Sequence, residues 1–353
     1  MLYVSGWTPK CAAPREGVAE LRRVLKIMAV MALLVLSDSA TAQTFLLPPE
    51  GESLVGEVRQ VKARHEDTFS DIARRYNIGF NALVQANPAV DPWLPGEGAE
   101  IVLPTLYVLP NAPRDGLVLN VAEMRLYFYP KPRPGEAAVV ITYPVSIGRQ
   151  EWNTPLGKTQ VVKKTPNPVW VPPRAVREEH KRDGDTLPAT VPPGPDNPLG
   201  AYALRLGIPG YLIHGTNRPY GVGMRVTHGC VRLYPEDIRS LFNKVDVGTP
   251  VYIVNQPYKA GWSRGALYFE AHPALEEDIA TQSNNRTPAV KAIVAANPDS
   301  TTTVDWPKVI DLAEHSSGIP QPVTLVAGEV SAIVSQSRPL VVPHLPAKTA
   351  AAP

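Results

Sequence analysis

Cysteine is nearly absent from this chain, with only Cys11 and Cys230 in 353 residues. That excludes a disulfide framework. If the N-terminal segment carrying Cys11 is lost on export, Cys230 has no intrachain partner, and a thiol kept that way in an oxidising compartment points to use. Long apolar runs are also missing. The strongest, residues 27–36, falls well short of the ~20 residues that span a bilayer. Nor does one sign of charge prevail: 35 Lys and Arg stand against 33 Asp and Glu. Residues 1–42 hold five of the former and three of the latter, so the rest of the chain is formally neutral. Nothing in that balance favours nucleic acid or an anionic membrane surface as a partner. Proline is plentiful, at 39 residues, which implies many loops in a chain long enough for two or three domains.

Residues 1–42 read as an export signal. Arg22, Arg23 and Lys26 precede the apolar run, and Ala40-Thr41-Ala42 follows it, so cleavage is predicted after Ala42. The Arg22-Arg23 pair also fits a twin-arginine signal.

The chemistry concentrates in YLIHGTNRPYGVGMRVTHGCVRLYPED, residues 211–237, which carry Cys230 and two of the seven histidines, His214 and His228. A thiolate attacks where a thiol does not, so a nucleophilic cysteine needs an imidazole to take its proton. His228 lies two residues before Cys230, on the same face of an extended segment. His214 lies sixteen residues before it, enough for a loop that returns. Spacing alone does not choose between them. Gly229 allows a tight turn that aims backbone N–H groups at a developing oxyanion, and Pro235, Glu236 and Asp237 open a helix just beyond. The competing readings are a buried, inert cysteine and a zinc site. The zinc reading lacks a second cysteine or a carboxylate at a familiar spacing.

HGT followed by THGCVRL resembles the signature of the L,D-transpeptidases, the YkuD-type catalytic domain, and in particular the ErfK/YbiS/YcfS/YnhG branch of Gram-negative bacteria. The resemblance implies Cys230 as nucleophile, His214 as general base and acid, and the amides of His228, Gly229 and Cys230 as oxyanion hole. It gives Gly215 a carbonyl that orients the base, and Thr227 and Arg232 roles in shaping the site and holding substrate. Tyr211 and Trp170 are expected to line the same site, while His228 is either catalytic or a structural imidazole. The implied activity is periplasmic. The thiol attacks the meso-diaminopimelate carbonyl of a tetrapeptide stem in peptidoglycan, D-Ala leaves, and the acyl group passes to another diaminopimelate or to a lysine of Braun's lipoprotein. No metal or organic cofactor is expected. An L,D-carboxypeptidase using the same thioester and a non-catalytic wall-binding protein are the rival readings.

The fold expected is mainly β. Residues 59–105 read as βααβ: strands at 59–63 and 100–103 flank a helix behind the Asp67/Thr68 cap and a second one closed at Asn87-Pro88. This pattern resembles the LysM module, which binds N-acetylglucosamine-containing glycan strands, although Glu66 stands where a glycine is usual. A docking domain packed on the catalytic unit is the other reading of this segment. Residues 106–255 read as a β-sandwich catalytic domain, with strands at 117–120, 124–129, 138–148, 158–164, 202–206, 211–215 and 250–254 and one capping helix at 236–245. Thr154-Pro155-Leu156-Gly157 is read as a structural turn. The proline-rich stretch 166–200 is expected to be an irregular loop, read as a lid over the thiol with Trp170 as its apolar wall or as a plain surface loop. Residues 256–321 form a C-terminal extension, with a hairpin over 258–278 and helices near 288–296 and 306–315. Residues 322–353 are expected to be a disordered tail.

Overall fold

In a computed structural model the protein is described over residues 42–282 and 285–325. The predicted export signal, apart from Ala42, and the predicted tail beyond residue 325 lie outside these residues. The chain begins with β1 (Gln43–Leu46) and β2 (Leu54–Gly56), followed by β3 (Arg59–Lys62), α1 (Phe69–Arg75), α2 (Phe80–Ala86) and β4 (Glu100–Leu103). β3 and β4 pair antiparallel around a small core of Phe69, Ile72, Ile78, Leu83 and Ile101. The cap is reciprocal: the Thr68 hydroxyl accepts from the Asp71 N–H, and the Asp71 carboxylate accepts from the Thr68 N–H. Asn87 closes the other end by donating to Leu83 O and Val102 O and accepting from the Val102 N–H.

Next come β5 (Leu106–Val108), β6 (Gly116–Asn120), β7 (Arg125–Tyr129), β8 (Val139–Pro144), β9 (Ile147–Gly148), β10 (Gly157–Pro166), α3 (Arg174–Arg182), β11 (Tyr202–Leu206), β12 (Leu212–His214), β13 (Arg225–Thr227), β14 (Val231–Arg232), α4 (Pro235–Lys244) and β15 (Pro250–Val254). One mixed sheet runs β1-β8-β7-β6-β15-β10-β11-β12-β14. It curls until β14, at one end, returns to the chain just past β8, the second strand from the other end, where Ser146 exchanges both backbone hydrogen bonds with Arg232. The expected sandwich is therefore a single sheet folded over on itself. Inside it lie Leu117, Phe128, Leu204, Ile213 and Val231, with Ile238 and Leu241 of α4 closing the end. Outside, Val118, Tyr127 and Tyr129 pack under Val55 and Tyr107. Both faces of β6 and β7 are thus buried, which explains their nearly unbroken apolar sequence.

Three expectations need correction. Residues 166–200 contain the nine-residue helix α3, so the domain carries more than one helix. Of α3 only Val176 is buried, and the helix sits inside a proline-rich stretch that reads as irregular. In the C-terminal extension, β16 (Tyr258–Ser263) and β17 (Ala266–Ala271) form the expected hairpin, but it ends at Ala271 and is followed by α5 (Glu276–Gln282). α6 (Thr287–Ala296) and α7 (Trp306–His315) lie where helices were predicted. β18 (Gln321–Pro322) then pairs with β17 and buries Val323, so the chain remains part of the fold past residue 322.

The βααβ unit is docked against the catalytic domain. The Phe80 and Asn81 N–H groups donate to Val222 O and Gly223 O, Arg74 pairs with Glu236 at 2.9 Å, and the Tyr234 hydroxyl donates to Ile78 O. Gly223 sits at φ +87°, and a Cβ there would come within 2.3 Å of Gly79 Cα and Phe80 N. Only two glycines let these backbones touch.

Candidate active site

β12 and β14 run parallel, with Ile213 opposite Val231 and His214 opposite Arg232. Ile213 and Val231 both point into the core. By alternation His214 and Arg232 face the other way, and Cys230, one residue before Val231, shares their side. Adjacent strands lie ~4.8 Å apart and two residues rise ~6.6 Å, which puts the Cα atoms of His214 and Cys230 about 8 Å from each other, within reach of a thiol and an imidazole.

The tautomer of His214 follows from its partner. Nδ1 lies 2.7 Å from the Gly215 carbonyl oxygen. A carbonyl only accepts, so Nδ1 carries the proton and Nε2 keeps its lone pair. Burial brings the His214 pKa down to about 4; Arg232 adds to this, and the carbonyls of Gly215 and Leu199 oppose it. Cys230 is partly exposed, and its thiol lies 3.7 Å from Gly210 O. Burial raises the thiol pKa, while the Leu212 N–H and Arg232 pull it back. At neutral pH a neutral thiol therefore accompanies a neutral imidazole.

The turn that presents the thiol is held from within. Thr227 is buried, and its hydroxyl donates to Cys230 O at 2.6 Å. Thr154, in the turn read as structural, receives the Gly148 N–H and donates to Gly229 O at 2.9 Å. Gly229 sits at φ +95°, and a Cβ there would meet the Tyr211 ring at 2.8 Å. Any other residue would be strained and would push Tyr211 away. Arg232 is fixed by its backbone bonds to Ser146 but pairs with no carboxylate among the described residues, and its buried Nε has no partner. Burial and Arg218 both lower its pKa. This unmatched cation lies on the same face as Cys230 and suits an anionic group on a ligand.

The remaining expected residues divide. His228 Nε2 lies 2.9 Å from Glu179 Oε2 of α3, so this nitrogen donates to a carboxylate. Trp170 lies in a bridge with Val191 at the base of the 166–200 segment. The indole at the motif is that of Trp152, edge-on to the His228 ring at 5.0 Å. Trp152, Arg149 and Glu179 were not anticipated, since they come from segments 49 to 79 residues away from His228. The local hint was the helix-forming run RAVREEHKR at 174–182.

Among the described residues, one group of three metal-type ligands stands together, Glu123, Glu270 and His272, and it does not include Cys230. Lys259 Nζ bonds both of its carboxylates, at 2.8 and 2.9 Å, and so already supplies a cation.

Comparison with known proteins agrees with this geometry. The YkuD L,D-transpeptidase catalytic domain matches residues 114–253, the span that holds β6 to β14 and the His214–Cys230 segment. The chain is 44% identical over 263 residues to the probable L,D-transpeptidase YcfS of Escherichia coli, covering 73% of this chain and 81% of that protein. It is 39% identical over 313 residues to the probable L,D-transpeptidase ErfK/SrfK of Salmonella typhimurium, covering 87% and 99%, and 41% identical over 251 residues to YbiS of Escherichia coli, covering 70% and 80%. With relatives matched over most of their length and the catalytic domain laid over the strands that carry Cys230, this chain belongs to the L,D-transpeptidase family.

Proposed function

We propose that the protein is a periplasmic peptidoglycan L,D-transpeptidase in which Cys230 is the nucleophile and His214 the base. The observation that carries this reading is the His214 tautomer: its Nδ1–H is spent on Gly215 O, which leaves Nε2 as an acceptor on the face it shares with Cys230. His228 suits the role less well, because its Nε2 proton is committed to Glu179. It orients the motif.

In this reading the Cys230 proton passes to His214 Nε2 as sulfur attacks the carbonyl of the L-centre of meso-diaminopimelate. The amides of the His228–Cys230 turn receive the oxyanion. As the C–N bond breaks, the same proton passes to the departing D-Ala amine, leaving a thioester. An amine then attacks the thioester, the C–S bond breaks, and the thiol regains its proton. The acceptor is a second diaminopimelate, giving a cross-link, or a lipoprotein lysine. Arg232 supplies the positive charge that a carboxylate of the stem peptide needs, and the Tyr211 ring lies against Gly229. The βααβ unit acts as a LysM-like module: its exposed Trp93 and Leu94 offer an apolar platform for a glycan strand, and its docked position holds that strand near the thiol. Residues 1–42 direct export.

Incubation with a carbapenem followed by intact-mass measurement tests the nucleophile. The wild type gains one adduct and Cys230→Ala gains none. Muropeptide analysis then identifies the reaction: new diaminopimelate cross-links or lipoprotein-bound stems support transpeptidation. Tripeptide stems alone would make the enzyme a carboxypeptidase. Sedimentation with sacculi without any adduct would leave only a wall-binding protein.

A further inference from the structure

We propose that Glu179 is a positioning residue that latches α3 over the acyl-enzyme and so sets whether an amine or water resolves the thioester; this rests on the transpeptidase reading above. The segment that carries α3 is fixed at its base. Trp170 and Val191 exchange backbone hydrogen bonds, and the Asn197 side chain donates to Pro168 O, Val191 O and Pro192 O. The helix itself is held far less firmly. Only Val176 is buried, and the N-cap Pro173 makes no side-chain cap. The Arg174–Glu178 pair lies within the helix and exposed, and contributes nothing to docking.

Glu179 makes the link. One carboxylate oxygen pairs with Arg149 and the other lies 2.9 Å from His228 Nε2. Both partners belong to the thiol's surroundings. His228 is two residues before Cys230, and the Arg149 N–H donates to Thr227 O at 3.1 Å. Arg149 Nη2 and His228 Nε2 lie only 3.3 Å apart, and once Nε2 donates to Glu179 both are N–H donors. The carboxylate is what allows them to stand together. Without its charge the two charge-assisted bonds are lost, Arg149 and His228 are left to pair with each other, and nothing of comparable strength ties α3 to the motif. α3 and Trp152, whose indole meets the His228 ring, line an open cleft of about 610 Å³ beside the motif.

The two fates of the thioester differ only in what enters. An amine nitrogen forms the C–N bond of a cross-link and water oxygen forms the C–O bond of a free acid; in both, the C–S bond breaks and the thiol is re-formed. Keeping water out is therefore the lever on the outcome. A loosened latch leaves the first half-reaction intact and opens the second to solvent.

The test uses the full mature protein with tetrapeptide muropeptides, and compares wild type, Glu179→Gln and, as a control on the same helix, Glu178→Gln. Three quantities are read: the ratio of tripeptide to cross-linked dimer, the rate of acylation by a carbapenem, and hydrogen exchange over residues 174–182. Losing the charge-assisted contacts in Glu179→Gln should raise the tripeptide-to-dimer ratio about tenfold. Exchange in α3 should quicken, while carbapenem acylation and Glu178→Gln stay at the wild-type level. An unchanged ratio in Glu179→Gln overturns the latch. So does a fall in acylation that tracks a lowered Tm, which would make Glu179 a structural residue only; Arg149→Gln, which removes the same contact from the other side, must then give the same result. If the wild type itself neither takes up the carbapenem nor releases D-Ala, it is the transpeptidase reading that fails.

Discussion

Two clusters of titratable side chains in this molecule are built on opposite rules. In the first, Lys259 lies between Glu123 and Glu270, His272 Nε2 is 2.6 Å from Glu270, the Val108 N–H and Asn120 amide donate to the same two carboxylates, and Tyr127 reaches Glu123. All of these ionic side chains are buried, and each has a partner. In the second, around Cys230, Arg232 has a buried Nε without a partner, His214 keeps one nitrogen open, and the thiol meets only backbone, a long contact to Gly210 O and the Leu212 N–H. Burial makes an unmatched group costly in either place. The saturated cluster joins the C-terminal hairpin to β7 and holds the fold. The open one leaves its groups unmatched, which suits the substrate binding proposed for it.

The largest expected effect breaks the open cluster. His214→Ala should lower the rate of acylation by about 10²–10⁴, the usual contribution of a general base, and leave the unfolding midpoint almost unmoved. In the wild type the acid limb of that rate should lie near pH 4, where the buried His214 takes its proton, and not near the 6.5 of a free imidazole. A limb at 6.5 would contradict the buried base; because burial and Arg149 bring the His228 pKa to about 4 as well, only full activity in His214→Ala with none in His228→Ala would exchange the roles of the two histidines. Breaking the saturated cluster should do the reverse. Lys259→Met leaves two buried carboxylates without their cation and should cost about 3–5 kcal/mol in urea unfolding. Under conditions where the variant is still folded, acylation should persist. Loss of acylation without loss of stability would show that the two clusters are coupled.

The difference between these clusters also marks how far the sequence could be read. Cys230, His214 and Gly229 stand out because the chemistry concentrates in one short stretch. Strands such as Tyr202–Leu206 and Pro250–Val254 were read to the residue because turn residues bound their β-branched and aromatic runs. The capping helix was read to within one residue at each end. What escaped was set by distant partners. β1 and β2 are short, and β1 pairs with β8 nearly a hundred residues on. α3 buries a single apolar residue and sits inside a proline-rich stretch, which is what hid it. The Glu179–His228 contact joins residues 49 apart, and no local pattern encodes that. Nor did any motif mark Lys259, whose partners come from three separate strands and turns.

The smallest effect expected lies at the seam between the βααβ unit and the catalytic domain, where a third ionisable group follows neither rule. Asp237 is buried in the first turn of α4, and Asn77 Nδ2 donates to its Oδ2 at 2.7 Å. Asp237 Oδ1 and Asn77 Oδ1 both have no donor. Burial raises the Asp237 pKa from 3.8 to about 8, with Asn77 opposing and Glu236 reinforcing. The folded chain therefore keeps a proton that the unfolded chain releases, and stability from this group declines as pH rises from about 4 to about 8. A neutral carboxyl also supplies the kind of donor that Asn77 Oδ1 lacks. Asp237→Asn replaces that proton with an amide N–H that does not titrate, and two amides can each donate to the other's oxygen. The variant should be flatter across this pH window and more stable than wild type at pH 8 by about 1 kcal/mol, the worth of one satisfied hydrogen bond. If the two proteins differ by the same amount at pH 5 and at pH 8, Asp237 is ionised in the folded state, and the seam is held by charge as the Lys259 cluster is.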